Sequence, residues 1–549
     1  MNLLETKQAI VSALILNGNG MIDGMIGRDR FVATPFKHQP GYLRMPQRRF
    51  AFSVDQSRVS VSQVEAPAGY SGLYGFHKYW GKKPFEPIAF VIEQLSEPGQ
   101  LVLDPFVGSG VAARESVIRG RRFIGFDINP VAVQLSRLLI SPPNYDRLRS
   151  AIAEIEVRVS SQINSSYSLD DGLTATHYLW NESGLQQVWV KGGQHRGREE
   201  RNPTDNDIQL SETFNGYRSQ RVRSPRFFSN GRINASTDMS WDSLMTGRAQ
   251  RNLDLLLEAV EESPLPLRPA LQLCLTAASG QMTKMVFAVT GRGKTTGQQS
   301  SKTEVGSWVI GYWRPQFHFE VNVWNCFERR CSKLLKSIKS VPKTDNESVT
   351  ENFDRVLTGE AIACITLGDC QTNLNRLPAE SVDLVITDPP HSDRVPYLEL
   401  SELWNSILNA PVDFDNEIVI SNAKERNKGQ AQYVKSMQKF FSDSARIISP
   451  KGFLVVLFNS KNQDEWAAIR ESCHSETEVG SLLRFVGSFP CKYSANSVVQ
   501  DNRKGAMKTD YVLVFGRADA SHDPLFQNGR LTSIPGWTSK PPEYLQGNS

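Results

Sequence analysis

Leu101-Val102-Leu103-Asp104-Pro105-Phe106-Val107-Gly108-Ser109-Gly110 reads as a short strand that stops at an acid and a proline and then turns on two glycines. Pro105 has no N–H to give a sheet ladder, so the strand ends at Asp104. The glycines let a backbone approach a ligand that a side chain would block. The helix expected from Val111 to about Arg119 aims its free N–H groups at the same place. A glycine turn here also serves packing alone, so the motif needs company. It comes from a second strand, Phe123-Ile124-Gly125-Phe126, which ends at Asp127 before a helix through Val131-Ala132-Val133 to about Leu139. Strand, glycine turn, helix, strand and acid make a βαβ nucleotide-binding half, and a carboxylate at Asp127 suits a ribose diol.

The same strand grammar resumes far downstream. Ala361–Leu367 ends at Gly368-Asp369, and Val382-Asp383-Leu384-Val385-Ile386-Thr387 stops at Asp388-Pro389-Pro390-His391. Gly452–Phe458 follows, and Leu483–Phe489 with Asp510–Phe515 forms a closing antiparallel pair. These strands and the first two complete one sheet better than two. The text between, residues 145–354, is polar, Arg-rich and Gly-rich, with helical patterns near Arg251–Glu262 and Val323–Ile338. The expected organisation is an extension over 1–75, a cofactor-binding part over 76–144, an insertion over 145–354, a second part of the same sheet over 355–517, and a flexible tail over 518–549. The fold class is α/β, a Rossmann-like, mostly parallel sheet with an antiparallel closing strand.

Composition sets bounds without naming a partner. The 549 residues are 40% hydrophobic and 22% charged with a net charge of +4, ordinary for a globular chain and permissive of nucleic acid. Seven cysteines without a Cys-x-x-Cys pair suggest reduced thiols and no metal knuckle. Ala9–Leu16 is too short to span a bilayer and Glu5 is wrong for a secretory leader, so the expected location is the cytoplasm, with no membrane partner.

The ligand of the first half has a charge signature. A dinucleotide fingerprint carries a third glycine where this chain has Ala113, a tolerated change, but the carboxylate of Asp104 would repel a pyrophosphate. A cationic end on a nucleoside fits better. S-adenosylmethionine, with its sulfonium and ammonium on an adenosine, matches an acid at Asp104, glycines at the turn and an acid at Asp127.

Asp104-Pro105-Phe106-Val107-Gly108-Ser109-Gly110 followed by Asp388-Pro389-Pro390-His391 resembles the amino-methylating DNA methyltransferases, which carry methyl from S-adenosylmethionine to adenine N6 or cytosine N4. The resemblance implies a class I methyltransferase sheet, a cofactor site at Asp104, Pro105, Phe106, Gly108, Ser109, Gly110 and Asp127, and Asp369 beside the adenine ring. It also implies that Lys83-Pro84, within Phe76–Pro84, helps to close that pocket. Asp388, Pro389, Pro390 and His391 would form the catalytic motif. The order of parts, cofactor motifs first and catalytic motif last, resembles the arrangement with target recognition between them. His391 stands where the family has Tyr, Phe or Trp. Asp388, where cytosine-N4 members often carry Ser, leans the target towards adenine.

That chemistry has clear demands. An exocyclic amine is a poor nucleophile until both of its hydrogens are accepted, by Asp388 and the Pro389 carbonyl, and no metal is needed. The base would leave the duplex to be held, with His391 as the stacking wall and Tyr397 and Trp404 as supports. Lys191 to Arg232 holds nine Lys or Arg against five Asp or Glu, and Arg218, Arg221, Arg223 and Arg226 are the candidate phosphate contacts. Thr290–Thr296 resembles a phosphate loop, but its first glycine is replaced by Ala288. The partner is then duplex DNA with a flipped base, together with a restriction or defence component that the resemblance implies. RNA base methylation and a non-catalytic DNA-binding subunit remain alternatives.

Overall fold

Leu101, Val102 and Leu103 are all buried because β1 (Leu101–Asp104) lies in the middle of a sheet covered on both faces. Leu101 and Leu103 join one apolar layer and Val102 the other, as the two-residue period of a strand requires. β2 (Arg122–Asp127) repeats the pattern with Phe123 on one side and Ile124 and Phe126 on the other. The computed structural model describes residues 58–191, 197–289, 303–307, 311–339, 341, 349–460, 462–474, 483–492, 509–519 and 531–546. Residues 1–57 of the expected extension and the loop Thr290–Thr296 lie outside the described residues.

The chain then leaves this sheet. The helix Tyr145–Ser165 leads into β3 (Ala175–Asn181), β4 (Gly184–Lys191) and β5 (Arg198–Arg201). Further on come β6 (Phe287–Val289), β7 (Glu304–Gly306) and β8 (His318–Val321). Among the described residues these six form their own antiparallel sheet in the order β5-β4-β3-β8-β6-β7. The helices Gly247–Glu261, Arg268–Ser279 and Val323–Lys339 pack beside it. Arg248 and Glu320, both buried, meet at 2.7 Å, with Tyr178 4.2 Å below the guanidinium.

The first sheet is rejoined by β9 (Val349–Thr350), β10 (Ala363–Leu367), β11 (Val382–Thr387), β12 (Ile448–Phe458), β13 (Leu483–Lys492) and β14 (Thr509–Arg517). Its order is β13-β14-β12-β11-β1-β2-β10-β9, with β14 antiparallel to both of its neighbours and the other pairs parallel. This is the mixed, mostly parallel α/β sheet expected. The main sheet resumes at Val349, a few residues before the expected boundary at 354. Strand order turns between β1 and β11, the point in such sheets where a crevice opens at the carboxyl ends.

The insertion is welded to the sheet's own helices. One apolar cluster includes Val131, Leu135 and Leu138 of the helix Pro130–Ile140, the core of the insertion, and Leu400, Leu403, Trp404 and Ile407 of the helix Tyr397–Ile407. Trp404 stacks on Trp80 with ring centres 4.5 Å apart. Among the described residues no helix is long and apolar enough to cross a membrane.

Two terminal expectations need correction. The end of the extension packs down, with Val59 and Val64 buried in one of the sheet's apolar layers and Leu73 in the insertion's cluster. Residues 531–546 of the expected flexible tail are ordered on the sheet edge, because Leu531 and Ile534 are buried and Thr538 exchanges two backbone hydrogen bonds with Ser488 of β13. The glycine at 487 makes room for the Trp537 ring, which a Cβ there would meet at 2.3 Å.

Trp404→Ala is expected to cost about 3–5 kcal/mol. Thermal melting checks the loss of stability, and limited proteolysis is expected to cut the insertion faster than in the wild type.

Candidate active site

At the point where strand order turns, Asp104 at the end of β1 lies beside Thr387 at the end of β11. Thr387 Oγ1 donates to Asp104 Oδ1 at 2.6 Å, and Phe106 N donates to the same oxygen at 3.1 Å. Among the described residues Oδ2 is left without a hydrogen bond, on a side chain that lines a cleft. The cleft has an empty volume of about 960 Å³, open mouth included. Burial pushes the Asp104 carboxyl up to about 7, despite those two bonds.

Asp127 is held differently. Its Oδ2 accepts from Gly108 N and its Oδ1 from Asn129 N, each at 2.8 Å. Burial nonetheless raises it to about 6. Gly108 adopts φ +51° and lines the cleft, so its N–H ties the glycine turn to the acid of the next strand. Each oxygen of Asp127 keeps a second lone pair for a diol. Asp369 caps the helix Cys370–Arg376 by accepting Thr372 N on Oδ1, and it too lines the cleft.

The wall charges are lopsided. Asp104, Asp127, Asp369, Asp388 and Glu417 line the cleft, against Lys82 and Lys83. Burial lowers Lys82 to about 7, and its Nζ donates to the carbonyls of Tyr74 and His77. Lys83 Nζ, 4% exposed, lies 3.0 Å from Asp388 Oδ2 and 2.9 Å from Asp510 Oδ2. Carboxylates thus outnumber ammoniums on the wall, although Arg426 pairs with Glu417 at 2.7 Å, and Tyr79, Tyr397, Phe106, Ile128 and Ile418 supply apolar surface for a flat ring.

Most of the expected site residues converge here, namely Lys83, Asp104, Pro105, Phe106, Gly108, Ser109, Asp127, Asp369, Asp388 and Pro390. Four do not line the cleft. Pro84 caps the helix Phe85–Leu95. Gly110 is a packing glycine at φ +83°, because a Cβ there would lie 2.6 Å from Ser136 Cα on the adjacent helix. Pro389 is buried, while the Pro390 carbonyl accepts Tyr433 Oη at 2.7 Å.

His391 departs most from expectation. Its ring is 5% exposed, stacks on Phe458 at 5.6 Å and 17°, and presents Nε2 to Asp388 Oδ1 at 2.8 Å. Nδ1 is buried without a hydrogen-bond partner among the described residues. Ser392, left-handed at φ +45°, makes the turn that folds His391 inward. His391 therefore supports Asp388 from beneath and is not a stacking wall. Of its two expected supports, Tyr397 lines the cleft and stacks on Tyr79 at 5.9 Å, whereas Trp404 is core.

The four candidate phosphate-binding arginines are engaged within the chain. Arg218 meets Asp242 at 2.5 Å, and Arg221 meets Glu258 and Glu261, each at 2.8 Å. Arg223 grips the buried Glu402 with two nitrogens at 2.8 and 3.1 Å, and Arg226 lies over Phe228 and Phe414. Three of the four meet carboxylates, those of Arg218 and Arg221 within the insertion itself, and Arg223 and Arg226 tie the insertion to Glu402 and Phe414 beyond it. Asp510, which shares Lys83, was missed because a single acid opening a strand carries no motif signal. Among the described residues no cluster of His, Cys, Asp and Glu could hold a metal ion.

Both upward shifts mean that the folded chain holds protons more tightly than the unfolded chain. The stability they give is complete below the unfolded carboxylate range, near about pH 4, and is lost as pH rises through about 6 for Asp127 and about 7 for Asp104. The Tm of ligand-free protein is expected to fall from about pH 5 to about pH 8, and Asp104→Asn to flatten that fall. Melting curves across this range check it.

A search of curated proteins finds no match. Residues 47–137, which carry Lys83, Asp104, the glycine turn and Asp127, match the N6_N4_Mtase family model, described as DNA methylase, and this is the family that the two Asp-Pro motifs resemble.

Proposed function

We propose that the chain transfers methyl from S-adenosylmethionine to an exocyclic base amine of duplex DNA, with adenine N6 favoured over cytosine N4. The observation that carries this reading is the meeting of Asp104 and Asp388 in one acidic cleft where strand order turns. The family match supports the first half of the cleft, and it ends before Asp388.

The residues fit the donor. Asp104 Oδ2 has no hydrogen bond among the described residues and could face an ammonium, Asp127 a ribose diol, and Asp369 with Ile128 the adenine edge and face. Bound there, S-adenosylmethionine would supply an electrophilic methyl on a sulfonium. Glycine at 108 and the turn around it give the ligand room that a larger side chain would take.

The chain's own task is to make the amine a nucleophile. Asp388 is fixed by His391 on Oδ1 and Lys83 on Oδ2, and each oxygen retains a second lone pair. An amine hydrogen donated to Asp388 and another to a backbone carbonyl of the Pro-Pro turn draw the nitrogen lone pair out of the base ring. This is orientation and electrostatic stabilisation without a covalent intermediate. Duplex DNA must give up the base at a cost of about a few kcal/mol. Tyr397 and Tyr79 offer the flat faces on the cleft wall that His391 does not. A restriction or defence partner rests on the family likeness alone.

Two measurements test this. Purified protein given tritiated S-adenosylmethionine and duplex DNA, single-stranded DNA or tRNA is expected to label duplex DNA, with N6-methyladenine recovered on hydrolysis. Label in tRNA alone would favour the RNA reading, and donor binding to none would end the enzymatic one. Asp388→Ala is expected to keep donor affinity and to lose turnover by about 100-fold or more. Turnover retained in that variant would remove Asp388 from the reaction. Donor affinity of the wild type is expected to rise as pH passes about 7, where Asp104 ionises, and the rise to vanish in Asp104→Asn.

A further inference from the structure

Lys83 binds two carboxylates with one charge. Its Nζ is 3.0 Å from Asp388 Oδ2, 2.9 Å from Asp510 Oδ2 and 3.3 Å from His391 Nε2. Lys83 is 4% exposed and Asp510 is fully buried, whereas Asp388 keeps 20% exposure on the cleft. The two carboxylates reach one place because β14 runs against the rest of the sheet. Its first residues therefore arrive at the edge where β11 and β12 end, as the pairing of Tyr511 with Phe458 shows.

We propose that Asp510 is a positioning residue for methyl transfer, acting on Asp388 through Lys83. This rests on the function proposed above and adds a residue that neither motif contains. Alone with Asp388, Lys83 would form a neutral pair and take up most of the acceptor's charge. With Asp510 present, the one ammonium is shared between two carboxylates. Asp388 then keeps negative charge to accept an amine hydrogen, while its orientation stays fixed from both oxygens. An ion cluster away from water also escapes much of the salt screening that weakens surface pairs. Packing alone does not require a carboxylate at 510, because burying one is costly unless it is matched.

The test uses the full chain with Asp510→Asn, Asp510→Glu and Lys83→Gln, each assayed for methyl transfer to duplex DNA across pH and for donor affinity by calorimetry. Asp510→Asn is expected to lower kcat by about tenfold or more, with KM for DNA and donor affinity within about twofold of wild type. The acid limb of its kcat profile is expected at lower pH, because Asp388 loses a like-charged neighbour. Asp510→Glu is expected to recover much of the rate. Lys83→Gln is expected to move the limb the opposite way, since Asp388 then loses its cation. A merely structural role would not produce opposite movements.

Wild-type kcat and an unmoved limb in folded Asp510→Asn would overturn the proposal. Should Asp510→Asn fail to fold, an unmoved limb in Lys83→Gln overturns it equally. Failure of the wild type to transfer methyl would show before any variant is made and would remove the functional reading itself.

Discussion

The pairing of β1 with β11 is the constraint on which the site depends. Val102 and Leu103 lie opposite Leu384 and Val385, so chain segments far apart in sequence end side by side. Asp383 locks the register at the other end by accepting Leu101 N at 2.8 Å. The hydrogen bond from Thr387 to Asp104 then spans two motifs 283 residues apart. A slip of one residue would turn every side chain of β11 to the opposite face and carry Asp388 away from the glycine turn. The insertion can therefore be large without blurring the site, because the sheet, and not the connecting chain, sets the distance.

Charge in the cleft is organised by burial as much as by partners. Asp104 and Asp127 each accept two backbone or hydroxyl hydrogen bonds and still have raised pKa values, so desolvation outweighs those bonds. Asp388 differs in having an ammonium and an imidazole against it. Carboxylates a short way apart are thus set up for different tasks. Among the described residues no cation of the chain pairs with the first two, whereas the third has Lys83 against it.

The strands of the main sheet were legible because each is a short apolar run broken by Gly, Pro or an acid. Asp104, Asp127, Asp369 and Asp388 were legible for the same reason, as acids at strand ends. The insertion's sheet was not. Its strands, such as Ala175–Asn181 and Gly184–Lys191, mix buried Tyr178 and Trp189 with polar neighbours and so resemble loop text. The partners of the arginines at 221 and 223, namely Glu258, Glu261 and Glu402, were not legible because they are distant in sequence, and a count of charges along a segment cannot see them. His391 was misread because its left-handed neighbour Ser392, which turns it inward, is a residue type with no special claim on that conformation.

The helix Tyr397–Ile407 buries nearly every side chain, with its apolar residues in the insertion's core and its first residue on the cleft. Arg223 of the insertion closes the charge of Glu402 on this helix, and Asn230 donates to Glu399 on the same helix. The inserted region is consequently not a cassette. An exchange between related chains that moved residues 145–339 alone would leave Glu402 buried and unmatched and Trp404 facing a surface shaped for another partner. Any recombination that preserved activity would have to carry this helix across with the insertion. The two should therefore vary together as one inherited block, although β10 and β11 of the main sheet lie between them along the chain.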